Sequence, residues 1–142
     1  RLKEKSRERQ SKARVGIREG DDRYVLPRDR GPVRRLVRDI VDARRNAGSY
    51  AFGVAMVIVL LTYSSALPPV LRLAASYLWL VVIIVVAVDS FLLSRRISRA
   101  VHERFPAEQG PTRWHSVYGI TRALTFRKMR NPRPQVKIGA TV

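Results

Sequence analysis

The chain has no cysteine, which excludes disulfides, thiolate metal centres, iron–sulfur clusters and a cysteine nucleophile. Histidine is nearly as scarce. His102 and His115 are the only two, and neither has a carboxylate at the spacing of a catalytic triad. No glycine-rich phosphate loop is present, and Asp21-Asp22 has no further ligand pattern around it. Haem held within an apolar run would need a histidine there; none occurs, and Met56 alone reads as packing. Acids are few, 11 against 28 Lys plus Arg, for a formal charge of +17. These absences remove nucleophile–base pairs, metal clusters and phosphate loops, so no enzyme, no cofactor and no metal is expected. A chain that begins with Arg rather than Met is expected to start inside a longer or processed protein.

What is present is strongly segregated. Residues 1–48 hold 16 bases and 8 acids, and residues 94–142 hold 11 bases and 2 acids. Between them, residues 49–93 carry only Arg72 and Asp89. The run SYAFGVAMVIVLLTYSSAL, residues 49–67, would be about 28 Å long as a helix, close to the hydrocarbon thickness of a bilayer. Pro68-Pro69 ends it, with a turn at 68–70, and a second apolar run covers 71–93. Two such runs need more apolar cover than 142 residues can supply, which predicts a transmembrane hairpin. Bases flank both outer ends while the turn offers Arg72 alone, placing both arms in the bacterial cytoplasm and the protein in the plasma membrane.

The arms read as basic amphipathic helices. Val33, Leu36, Val37, Ile40 and Val41 fall on one face of a helix over 33–45, with Arg34, Arg35, Arg38, Asp39 and Asp42 opposite. Such a helix is expected in the headgroup layer or on a partner's cytoplasmic face. The stretch RLKEKSRERQSKAR, residues 1–14, suits a solvated helix, and residues 16–32 read as a loop. After the second run, helices are expected over 94–105 and 113–130. A turn at 106–112 separates them, Thr112 acts as cap and an extended tail follows. Trp114, Val117, Tyr118, Thr121 and Leu124 form the apolar face of the second helix. The fold class is therefore all-α, a two-helix hairpin with basic helical arms.

Contact with anionic lipid or a partner is assigned to Arg34, Arg35, Arg38, Arg44, Arg45, Arg95, Arg96, Arg99 and Trp114. Asp89 is the one acid in the apolar middle. Folding the hairpin at Pro68-Pro69 brings it level with Tyr50, at the edge of the cytoplasmic interface. That depth favours a polar tie, to Arg45, Tyr50 or a partner's base, over a proton carrier.

Two blocks carry a likeness. LPRDRGPVRRLVRDIVDARRNAGSY, residues 26–50, and RALTFRKMRNPRPQVKIG, residues 122–139, resemble an actinobacterial family of two-span membrane proteins of unknown function (DUF3043-like). The likeness runs from Tyr24 to Gly139, and 23 Arg against 5 Lys fits a GC-rich genome. The resemblance implies an accessory subunit of the actinobacterial respiratory supercomplex, in which a menaquinol-cytochrome c reductase is joined to a heme-copper oxidase. It brings no catalytic residue. The partners expected are therefore subunits of a larger membrane complex and anionic lipids. The alternative is a membrane-anchored basic tether for anionic lipid or nucleic acid; nucleic acid is the weaker partner, because the bases adjoin the apolar runs and no nucleic-acid fold is legible.

Overall fold

A computed structural model describes residues 1–107 and 110–142. Among the described residues there are five α-helices: α1 Leu2–Glu19, α2 Pro32–Asp42, α3 Ala47–Tyr63, α4 Pro69–Arg104 and α5 Thr112–Leu124. Single 3-10 turns occupy Pro27–Asp29 and Arg127–Met129, and no strand occurs among the described residues. The turn expected over 106–112 includes residues 108 and 109, which lie outside the described residues.

The apolar stripe of α2 has its cover within the chain. Val33, Leu36, Val37, Ile40 and Val41 are buried against Leu93, Ile97 and Val101 of α4 and Ala123 of α5. This corrects the expectation that the stripe faces headgroups or a partner. Leu93, Ile97 and Val101 repeat every four residues, so one face of α4 meets α2 over two turns.

Helix α4 is continuous from the apolar run into this core. Its 36 residues rise about 54 Å, well beyond the roughly 30 Å of a bilayer's hydrocarbon. It is long and apolar enough to cross a membrane, and only 6% of its most apolar 18-residue window is buried. That exposure distinguishes it from the core helix of a water-soluble domain. Helix α3 packs along α4 and presents Phe52, Val57 and Leu60 outward. It is bent by 52° from α2, and only as a bent pair with α2 does it match a crossing segment.

α3 stops at Tyr63, short of the residue 67 expected, so the turn spans 64–68. Ser64 and Ser65 are weak helix formers, and the proline that follows Leu67 disfavours helical backbone there. Pro69 then suits the first turn of α4, where a missing N–H leaves no bond unmade.

α5 does not bury its apolar stripe within the chain. The face it buries is Ser116, Gly119, Arg122 and Ala123, while Trp114, Val117 and Leu124 stay exposed. Thr112 is its first helical residue rather than a cap, and the helix ends at Leu124 instead of residue 130. Small residues win because α5 approaches α2 and α4 closely: a Cβ on Gly119 would lie 2.3 Å from Ile97 Cδ1 and 3.2 Å from Val37 Cγ1. Ile97 and Val37 are themselves fully buried and cannot move aside. Gly53 on α3 meets nothing within 4 Å.

The same substitution at these two glycines should therefore have opposite signs. Gly53→Ala gains helix propensity of about 1 kcal/mol and should hold or raise the thermal midpoint in mild detergent. Gly119→Ala gains the same propensity but overpacks a closed contact, typically about 1–3 kcal/mol, and should lower the midpoint.

Candidate functional site

The two sequence blocks meet at Asp42, the last residue of α2. Its carboxylate is 1% exposed and accepts from two arginines that follow it by some eighty positions. Arg122 Nε and Nη2 reach Oδ1 and Oδ2 at 3.2 and 2.7 Å, and Arg130 Nη1 reaches Oδ1 at 2.7 Å. Arg127 donates to the Asp42 carbonyl. A carboxylate in the last turn of a helix opposes the negative end of the helix dipole, so Asp42 needs this cationic neighbourhood.

Each arginine also holds a different stretch of chain. Arg122 donates to the Pro132 carbonyl at 2.8 Å, and Arg127 to the Val136 carbonyl at 2.6 Å. Arg130 donates to the Thr125 carbonyl at 3.1 Å and to Ser49 Oγ at 3.0 Å. The Ser49 hydroxyl in turn donates to the Ala123 carbonyl at 2.8 Å. Asp42 and its three arginines thus bind the end of α2, the end of α5, the tail and the first turn of α3. Gly139 closes the loop, its amide donating to the Ala43 carbonyl at 2.7 Å. Burial pulls the Arg130 guanidinium below its ordinary value while Asp42 pushes the other way; it remains a cation.

Asp89 forms a second junction. Its carboxylate accepts from the Arg44 guanidinium and, at 3.0 Å, from the backbone amide of Ala47, the first residue of α3. A carboxylate there satisfies an unpaired N–H and sits at the positive end of the α3 dipole. The base is Arg44 and not Arg45, which is exposed, and Tyr50 is 58% exposed with no bond to Asp89. Residues 43–46 are not helical, so extending α3 backward in register misplaces Arg45.

The remaining expected contact residues divide. Arg38 is buried and donates to the Asp29 carbonyl, so it is structural and turned inward. Arg34 lies over the Tyr118 ring at 4.5 Å and donates to the Trp114 carbonyl at 3.3 Å. Arg35, Arg45, Arg95, Arg96 and Arg99 are exposed, and Arg95 lies 5.8 Å over Phe91. Trp114 is 58% exposed beside Arg113. Sequence reading missed Asp42, Arg122, Arg127 and Arg130 as a unit. The available signal was the shortage of acid beside the basic block 122–137, which leaves its arginines to find a carboxylate elsewhere.

Among the described residues, no group of three or more His, Cys, Asp or Glu is placed to hold a metal ion. His102 Nδ1 sits 2.9 Å from the Ser98 carbonyl within its own helix.

A family model described as protein of unknown function (DUF3043) matches residues 1–140. The chain belongs to the DUF3043 family. This DUF3043 chain is 40% identical over 124 residues to an uncharacterized protein of Mycobacterium leprae, covering 87% of the chain and 52% of that protein. It is 35% identical over 138 residues to an uncharacterized protein of Mycobacterium tuberculosis H37Rv, covering 96% of the chain and 57% of that protein. The chain thus spans about half the length of the curated relatives it matches. No solved structure matches it.

Removing the carboxylate charge of Asp42 leaves buried guanidinium groups uncompensated. Asp42→Asn should cost about 3–5 kcal/mol in urea unfolding in detergent, and should expose residues 122–142 to protease. Asp39 is the contrasting acid. Burial raises its pKa, and the nearby Asp42 adds to the rise, although Arg38 and Arg35 oppose it. A carboxyl whose folded pKa exceeds its unfolded value binds its proton more tightly when folded, so stability falls as pH rises through that interval. Asp39→Asn should therefore be more stable than the parent at pH 7, with the gain vanishing below the ordinary aspartate range.

Proposed function

We propose that this chain is a non-catalytic accessory subunit of a larger bacterial membrane complex. In this reading α3 and α4 form a two-span hairpin with both arms in the cytoplasm. The observation that carries it is the join at Ser49, Asp42 and Leu93, where outward-facing apolar helices run straight into a compact, arginine-locked core. Such a body presents a fixed apolar wall and a fixed cytoplasmic face together, which suits seating against another membrane protein. A flexible tether would not need that rigidity.

The flanking bases support the orientation. Arg45, Arg95, Arg96 and Arg99 are exposed near the ends of α3 and α4 that adjoin the core, while Arg72 is the sole base at the other end. The outward apolar face of α5, with Trp114 and Val117, gives a second surface for bilayer interface or neighbour. The likeness of both arm blocks to the actinobacterial two-span family points to the partner, the respiratory supercomplex of cytochrome bcc reductase and heme-copper oxidase. The competing reading, a basic tether for anionic lipid or nucleic acid, draws on the same exposed arginines.

The absence of native cysteine makes the topology directly measurable. Single substitutions Ser6→Cys and Thr141→Cys should react with an impermeant maleimide only after cell lysis, whereas Ser65→Cys should react in intact spheroplasts. Affinity purification of the full chain in mild detergent at moderate salt should retain haem absorbance at a fixed ratio. A preparation free of cytochrome, or one that sheds all partners steeply with salt, would rule out the subunit reading in favour of the tether.

A further inference from the structure

A cleft of about 390 Å³ opens beside the first turn of α3, between that helix and the segment following α5. Its lining is mainly apolar, with Tyr50, Phe126, Met129 and Ile138. Phe126 meets Phe52 edge to face, with ring centroids 6.4 Å apart, so the apolar floor continues onto the outward side of α3.

The polar side of the cleft has one sign. Arg44, Arg45, Arg127, Lys128 and Arg130 line it, and no acidic residue does. Arg44 is neutralised by Asp89, and Arg130 is held by Asp42. Arg127 bonds only to carbonyl oxygens, and the Arg45 and Lys128 side chains have no hydrogen bond or ion pair among the described residues. Three positive charges therefore face an apolar hollow with no counter-charge.

We infer that this cleft binds an anionic glycerophospholipid of the cytoplasmic leaflet, with Arg45 and Lys128 on its phosphate and the Tyr50–Phe126–Met129 surface against the start of its acyl chains. The inference rests on the membrane-spanning reading, which puts the start of α3 at the cytoplasmic surface. A soluble phosphate would leave the apolar lining wet, and a zwitterionic lipid would bring its own cation against Arg45 and Lys128. An anion with an attached hydrocarbon satisfies both halves of the cleft. Bases at the surface of an anionic membrane each contribute about a factor of five.

The test uses the full chain in detergent micelles, with bound lipid counted by native mass spectrometry. Phosphatidylglycerol should be retained at one per chain in preference to phosphatidylcholine. The double variant R45Q/K128Q should weaken that retention about thirtyfold, and because neither side chain has a partner it should keep the parent's thermal midpoint. R7Q/R9Q removes the same charge from the exposed surface of α1, outside the cleft, and should leave retention unchanged. Equal loss in both double variants would mean diffuse attraction and overturn the inference. So would equal retention of phosphatidylcholine, or binding of glycerol phosphate or hexaglutamate as tightly as the lipid. Labelling at Ser65→Cys separates the two levels: a chain that spans the membrane yet shows no lipid preference loses the cleft assignment and keeps its topology.

Discussion

The structure depends on one buried carboxylate. Asp42 is the point at which segments far apart in sequence are held together, and without it Arg122 and Arg130 would be buried cations with no counter-charge. A buried ion pair of this kind contributes little net stability over an apolar replacement, because desolvation offsets the attraction. What it contributes is geometry. Each guanidinium has more donors than the carboxylate can use, and the surplus fixes the carbonyls of Thr125 and Pro132 and the hydroxyl of Ser49. Residues 125–142, which contain no helix longer than a single turn, acquire a defined path from these bonds.

Asp89 does for the foot of the apolar helices what Asp42 does for the core. It joins the connection between α2 and α3 to a residue midway along α4, through Arg44 and the Ala47 amide. The two acids lie on either side of the same short non-helical link, residues 43–46. That link carries the 52° bend between α2 and α3. An unsupported bend would leave the helix N-terminus of α3 with unpaired amides and let the apolar helices swing relative to the core. With both acids in place, the orientation of α3 and α4 is tied to α2 and α5.

The same packing explains why so much apolar surface remains outside. α2 and the end of α4 satisfy each other, and α5 joins them through its small residues, so Trp114, Val117 and Leu124 have no room within the core. Large exposed apolar area on α3, α4 and α5 is then a consequence of how the core closes, and it calls for a cover other than water.

Much of this was legible in the residues. The all-helical class, the five-residue stripe of α2, the apolar runs and the breaking effect of Pro68-Pro69 follow from periodicity and proline geometry, which are local properties. That Asp89 makes a polar tie near the start of α3 was also readable, since its level in the folded pair depends only on distance along a helix. Three things were not. Periodicity marked an apolar side of α5 but not the side on which the core closes; close approach at Gly119 selected the small-residue side, and closeness is a property of two helices. Charge patterning put Arg38 on an outward face and gave Arg122, Arg127 and Arg130 no partner, because their bonding partners lie far away in sequence or in an irregular loop. And Arg44 rather than Arg45 meets Asp89, because the direction of a side chain after a non-helical link is set by the bend. The sequence by itself determined which segments are helical and which surfaces are apolar; only the tertiary structure decided which faces meet, because that choice rests on steric fit and on pairing charges across some eighty residues.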